Sequence, residues 1–175
     1  MSSLPELHIR RFVTEEGETL HRLMHDTIRT VAVGLYTPAQ VAAWAPDPGS
    51  AAWRLQGERL FSSLLHSVSL VAEAGGAPVG FGTITAAGFL DYLYVHYAVG
   101  RRGVGSRLLD ALEDAARQAG AGAITTHASL LLRPLLERRG FSVRERREVL
   151  VSGVPLVNFL MRKDLGVGNR PAYPV

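Results

Sequence analysis

The residues able to do chemistry cluster in the run LDYLYVHYAVGRRGVGSRLLDALEDAARQAG, from Leu90 to Gly120. The turn Arg101-Arg102-Gly103-Val104-Gly105-Ser106 opens a strongly periodic segment and offers consecutive backbone N–H groups at a helix N-terminus. First-turn amides have no intrahelical acceptor. Together with the positive end of the helix dipole and two guanidinium groups they suit a pyrophosphate. Glycine at 103 and 105 lets an anion approach the backbone with no Cβ in the way. Proton-transfer candidates flank this turn: the Asp91 carboxylate, the phenols Tyr92, Tyr94 and Tyr97, and the His127 imidazole, which titrates near neutrality.

Other phosphate loops are excluded by spacing. A triphosphate loop, GxxxxGK[ST], needs a lysine, and Gly105 is followed by Ser106-Arg107. A dinucleotide fingerprint needs GxGxxG after a first strand; here the glycines fall at Gly100, Gly103 and Gly105, deep in the chain. His21 and His25 lie one helical turn apart, but no HExxH pattern or third ligand accompanies them, so no metal is expected.

The elements that must position these groups follow from periodicity and turn residues. Leu7 to Phe12 alternates as a first strand, and Thr14-Glu15-Glu16 starts a helix with apolar positions at Leu20, Leu23, Met24, Thr27, Ile28 and Val31. Thr37 and Pro38 start a second helix that stops at Pro46-Asp47-Pro48-Gly49, and a third runs from Ala51 to Leu65. Val68–Ala74 and Val79–Thr85 form a hairpin across Gly75-Gly76. A buried strand spans Leu90 to Val95 and a helix Gly103 to Gln118. A fifth strand (Ala123 to His127), a helix from Leu131 to Arg139 and a hairpin turned at Ser152-Gly153 close the chain. This order predicts one α+β domain over residues 1–165 around a mixed, mostly antiparallel sheet, with a flexible tail at 166–175.

Composition agrees with a single core: 175 residues, 47% hydrophobic. There is no cysteine, which excludes disulfides, thiolate metal sites and a cysteine nucleophile. No secretory signal or membrane-length apolar run is evident, so a cytoplasmic location without membrane partners is expected. The net charge of +3 is carried by arginine, with Lys163 the sole lysine. Carboxylates at 137, 145 and 148 interrupt the late arginine cluster, which argues against a nucleic-acid stripe.

Leu-Tyr-Val followed by Arg-Arg-Gly-Val-Gly-Ser and Leu-Leu resembles the acyl-CoA loop of the GNAT superfamily of N-acetyltransferases, usually written [QR]xxGx[GA], with Gly100 departing from its first position. Glu137-Arg138-Arg139-Gly140-Phe141 resembles the family's Y-E-[KR]-x-G-F segment, and GVPLVNFLMRK from Gly153 to Lys163 its final strand. The block from Tyr36 to Trp44 resembles a bacterial subgroup with unassigned substrate. The resemblance covers nearly the whole chain. It implies the GNAT fold, acetyl-CoA as co-substrate and acetyl transfer to a primary amine of a small molecule or peptide by direct attack. The alternative is a non-catalytic acyl-CoA-binding or sensory domain; a homodimer is an open assembly.

By that resemblance a kink at Leu93-Tyr94-Val95 frees backbone amides for the thioester, with Val95 the main donor, and Arg101 to Ser106 hold the pyrophosphate. Ser129 stands where the family often has an asparagine on the cofactor; its other reading is the N-cap of the following helix. Alternation puts Phe89, Asp91, Leu93 and Val95 on one strand face, with Asp91 about 13 Å from Val95 at the strand rise per residue. Asp91 is then a base acting through water or on a long substrate, or a structural carboxylate paired with an arginine; His127 is the rival base. The family's acidic tyrosine is replaced by Leu136, leaving Tyr94 as a substitute that alternation points away unless the strand kinks. The first helices and the last hairpin should build the acceptor pocket, from His25, Arg29, Tyr36, Trp44 and Asn158.

Overall fold

The computed structural model describes residues 6–166. Seven strands form one sheet in the order β1-β2-β3-β4-β5-β7-β6. They are β1 (Leu7–Arg11), β2 (Val68–Ala74), β3 (Ala77–Ile84), β4 (Phe89–Val95), β5 (Ala123–Ser129), β6 (Ser142–Val151) and β7 (Val154–Asp164). The helices are α1 (Gly17–Val31), α2 (Pro38–Trp44), α3 (Ala51–His66), α4 (Val104–Gln118) and α5 (Arg133–Arg138). The α+β expectation holds, with β7 lying between β5 and β6.

Every neighbouring pair is antiparallel except β4 and β5, whose parallel register consists of Phe89 opposite Thr125 and Leu90 opposite Thr126. Beyond Leu90 these strands have no register with each other, and the sheet opens there into a cleft. The β6–β7 hairpin turns at Ser152 (φ 49) and Gly153 (φ 79), a pair of left-handed residues that matches strand twist in a two-residue loop.

Two apolar layers hold the sheet. On one face Leu20, Leu23, Met24 and Ile28 of α1, spaced at the helical repeat, pack with Leu60 and Leu64 of α3 against Val71 and Phe81. On the other, Leu108, Leu109, Leu112 and Ala116 of α4 meet Leu70, Ile84, Leu90 and Ile124. α4 lies close to β3 because two strand positions lack side chains: a Cβ at Gly82 would sit 2.6 Å from Leu112 Cδ1, and one at Gly80 3.1 Å from Leu108 Cδ1. Its later turns are tied by Lys163 of β7, which donates to both carboxylate oxygens of Glu113 at 2.7 Å. Glu113 is only 3% exposed, so the sole lysine neutralises a buried charge.

Local chemistry explains the helix starts. Thr37 accepts the Gln40 N–H and the Gln40 side chain returns to the Thr37 N–H, a closed capping box ahead of Pro38. The first helix starts later than its sequence signal, after a 3-10 turn over Thr14–Glu16. The helix expected over 131–139 shortens to α5, because Leu130 to Leu132 form a turn pinned by Ser129. Of the expected tail, residues 167–175 lie outside the described residues.

Candidate active site

The cleft begins at an irregularity in β4. Thr83 faces Tyr92 while Ile84 faces Leu90, so Asp91 is the extra residue of a bulge. The bulge changes which residues share a face. Leu90, Leu93 and Val95 pack toward the α4 layer, and Tyr92 and Tyr94 toward the α1–α3 layer. Asp91 goes with the tyrosines: its Oδ2 accepts from Ser63 Oγ of α3 at 2.8 Å, and Ser63 Oγ lies 3.2 Å from Thr83 Oγ1. The shared face expected for Asp91, Leu93 and Val95 is therefore corrected, as is the expected kink at Leu93-Tyr94-Val95. Strict alternation fails because one inserted residue rotates everything beyond it. Asp91 is also not paired with an arginine; its partner is a hydroxyl.

The same strand supplies free amides. The His96 N–H donates to the Val79 carbonyl at 2.8 Å. In this antiparallel register the Tyr94 and Tyr92 amides then also face β3, and those of Leu93 and Val95 face the β5 side, where the sheet has opened. The Val95 carbonyl is met by the Thr27 hydroxyl of α1 at 3.4 Å.

The glycine turn ends at the same place. Arg101 (φ 61) and Gly103 (φ 81) are both left-handed, a backbone shape that converges successive N–H groups. Gly103 is the N-cap of α4 and no side chain caps it, so the first-turn amides of Val104, Gly105 and Ser106 stay available. The two glycines serve different purposes: at 103 there is open space and the requirement is the dihedral, whereas a Cβ at 105 would lie 3.3 Å from Leu135 Cδ2 and 3.5 Å from Val95 Cγ2. The Val104 side chain is buried in the core, leaving its amide as its contribution; Arg101 and Arg102 are exposed beside the turn.

A cavity of about 350 Å³ connects these parts. Its lining includes Gly105, Val95, Leu132 and Leu135 together with Thr27, Tyr36, Trp44, Asp91, His127 and Asn158. Tyr36 sits edge-on to Trp44 at 5.3 Å, and its hydroxyl accepts the Leu130 N–H at 2.9 Å. Ser129 lines the cavity, its Oγ accepts the Leu132 N–H at 3.1 Å and its hydroxyl meets the Tyr36 phenol; the N-cap of α5 is Leu132, so Ser129 pins the preceding turn and does not cap the helix. Burial drives the Tyr94 phenol far above its ordinary range, and burial with the Asp91 charge pushes Tyr92 up to about 12. Both are neutral hydrogen-bonding groups at any working pH.

His127 is held in one protonation state. Arg147 donates to its Nε2 at 2.8 Å, and a guanidinium can only donate, so Nε2 carries the lone pair and Nδ1 the proton. Burial first, then Arg147, lowers its pKa. The nitrogen that would accept a proton is thus already engaged, which disfavours His127 as the base. Asn158 has a buried Oδ1 with no partner at the cavity wall.

Two expected acceptor residues do not reach the cavity. His25 packs edge-on to Trp53 and bonds Asp26, and Arg29 clamps the α2–α3 link through the Ala45 carbonyl (2.8 Å) and Asp47 (2.7 Å). Leu136 is 0% exposed in the α4-side core, so its position is structural here. Sequence reasoning missed Ser63, which carries no motif, and the wall residues Val149 and Val151, which only their alternation on β6 marks.

The fold recurs among solved structures. A GCN5-related N-acetyltransferase from Rhodopseudomonas palustris is 27% identical, with TM-score 0.83, covering 94% of this chain and 99% of that one. PaiA N-acetyltransferase from Thermoplasma acidophilum, in complex with coenzyme A, is 19% identical (TM-score 0.70; 91% and 99% covered). YncA from Salmonella typhimurium, with its cofactor acetyl-CoA, is 18% identical (TM-score 0.66; 95% and 98%). No curated protein matches the sequence. Residues 36–165 match the family model described as an acetyltransferase (GNAT) domain, and the chain belongs to the GNAT acetyltransferase family.

Proposed function

We propose that this protein moves the acetyl group of acetyl-CoA to a primary amine by direct attack of the amine on the thioester. The observation that carries this reading is the convergence, on one cavity, of the α4 N-terminal amides, the unpaired Leu93 and Val95 amides and the Asp91 carboxylate. Acetyl-CoA fits these residues: an uncapped helix start for the pyrophosphate, an apolar passage past Leu132 and Leu135 for the arm, and strand amides beside the thioester. Relatives of the same fold described with coenzyme A and acetyl-CoA support the choice of donor.

The chain has no cysteine, so no acyl group can pass through an enzyme thiol, which favours direct attack. The Val95 N–H donates to the oxygen as negative charge develops on it, in a site shielded from water. Asp91, held by Ser63 on the acceptor side, takes the proton released by the attacking nitrogen, through a water where the acceptor does not reach it. Tyr94, packed toward the α1–α3 layer and kept neutral by burial, is assigned no proton transfer. Thiols have pKa about 8.5, so the departing thiolate is stable enough to take its proton from solvent. Ser129 and the Arg101–Ser106 turn hold the donor in place.

The test is thiol release from acetyl-CoA with a panel of amines, alongside calorimetric binding of coenzyme A. Turnover with at least one amine is expected. Tight binding without turnover across the panel would favour the sensory alternative, the reading to which the loss of a tyrosine at Leu136 lends weight.

A further inference from the structure

We infer that the acceptor carries a single amino group on an apolar body of aromatic size, and is not a polyamine; this rests on the acetyltransferase reading above. An apolar part of the cavity lining comes from one cluster, with Tyr36, Trp44 and Tyr94 beside Val149, Val151 and Leu156. Such a surface desolvates a ring or branched hydrocarbon at no polar cost, whereas a second ammonium group placed against the aliphatic Val149, Val151 and Leu156 would lose its hydration without compensation.

Charge points the same way. Among the described residues Asp91 is the one carboxylate lining this cavity, and a second cavity of about 250 Å³, which shares Trp44, Tyr92, Tyr94 and Val151 with it, is lined by none. The charged residue there is Arg59, which repels a second ammonium. The phenols of Tyr92 and Tyr94 stay neutral through burial and cannot substitute for carboxylates. One cationic end is provided for: Asp91 offers the charge, and the orphaned Asn158 Oδ1 offers a buried acceptor to an N–H. Among the described residues the remaining walls hold no second carboxylate.

The experiment compares kcat/KM for 2-phenylethylamine, hexylamine, lysine and spermidine with the full chain saturated in acetyl-CoA. The two apolar amines should exceed spermidine and lysine by about tenfold or more, the discrimination hydrophobic contacts supply. Val151→Asp should cut the phenylethylamine value and raise that of spermidine, with coenzyme A affinity unchanged. Binding of phenylethylamine and spermidine to the coenzyme A complex, by calorimetry on the wild-type chain, reads the same preference without turnover. If no amine is acetylated, the enzymatic reading fails while this measurement still decides the ligand class. Spermidine binding or turning over as well as phenylethylamine overturns the inference.

Discussion

The donor and acceptor halves of the cleft are made of different kinds of atoms. The donor half is backbone: the amides of Leu93 and Val95, the left-handed turn at Arg101 and Gly103, and the uncapped first turn of α4. All of these lie within one contiguous stretch, positioned by the close seat of α4 on Gly80 and Gly82. The acceptor half is side chain: Thr27, Tyr36, Trp44, Tyr94, His127 and Val149, drawn from five different elements and the α1–α2 link. A backbone site holds its ligand whatever side chains surround it, provided the fold is intact. A side-chain site can change ligand one residue at a time. Substitutions in the two halves should therefore fail in different ways.

The largest separation is expected at Asp91. Asp91→Asn should lower kcat by roughly 10²-fold or more, the usual contribution of a positioned base, while coenzyme A binds unchanged. Ser63→Ala should move in the same direction by less, because it releases one Asp91 oxygen without removing the charge. Normal turnover in Asp91→Asn would remove the protein base from the acceptor half. Lys163→Met should act oppositely, on the fold that supports the donor half. It leaves Glu113 buried beside only a partly exposed Arg117, at 3.3 Å, and should cost about 3 kcal/mol, the low end for breaking a buried pair. Chemical denaturation reads this, and Glu113→Gln in the same chain should recover much of it.

A smaller effect is expected at Gly103. A residue with a Cβ at φ 81 costs about 1–2 kcal/mol in the left-handed region, so Gly103→Ala should lower stability by about that and loosen coenzyme A binding. No neighbour lies within 4 Å of that Cβ, so loss of affinity without loss of space would identify the dihedral as the cause. An unchanged affinity would shift the anion site away from this turn.

The same division governs what could be read from the sequence. The donor half was legible because a helix start with glycines is a local pattern whose chemistry does not depend on distant residues. The acceptor half was only partly so. Tyr36, Trp44, Asp91, His127 and Asn158 do meet at one cavity, but the face of Asp91 depended on a bulge that no residue type in LDYLYV marks. His25 and Arg29 were misplaced because helix spacing tells which residues share a face and not what covers that face. The acid position was legible as a missing tyrosine, yet its setting was not. Leu136 is fully enclosed, so Leu136→Tyr would overpack the α4-side core instead of restoring a proton donor.

The smallest expected effect concerns pH. Two histidines have shifted pKa values, His127 at the cavity wall and His21 between α1 and α3. His21 is 5% exposed, stacked on Trp53 at 3.8 Å and 3.1 Å from Gln56 Oε1, and burial lowers its pKa against the opposing hydrogen bond. With folded pKa values below the unfolded value of about 6.5, the unfolded chain binds more protons between the two. Stability is then full above about pH 6.5, falls on acidification through the folded pKa values, and levels once both states are protonated. Urea midpoints from about pH 8 to about pH 5 should show that decline, and His21→Phe with His127→Gln should flatten it while leaving the carboxylate-driven loss at lower pH, where Glu16 is released from Arg10. An undiminished slope in the double variant would take the acid sensitivity in this range away from these two imidazoles.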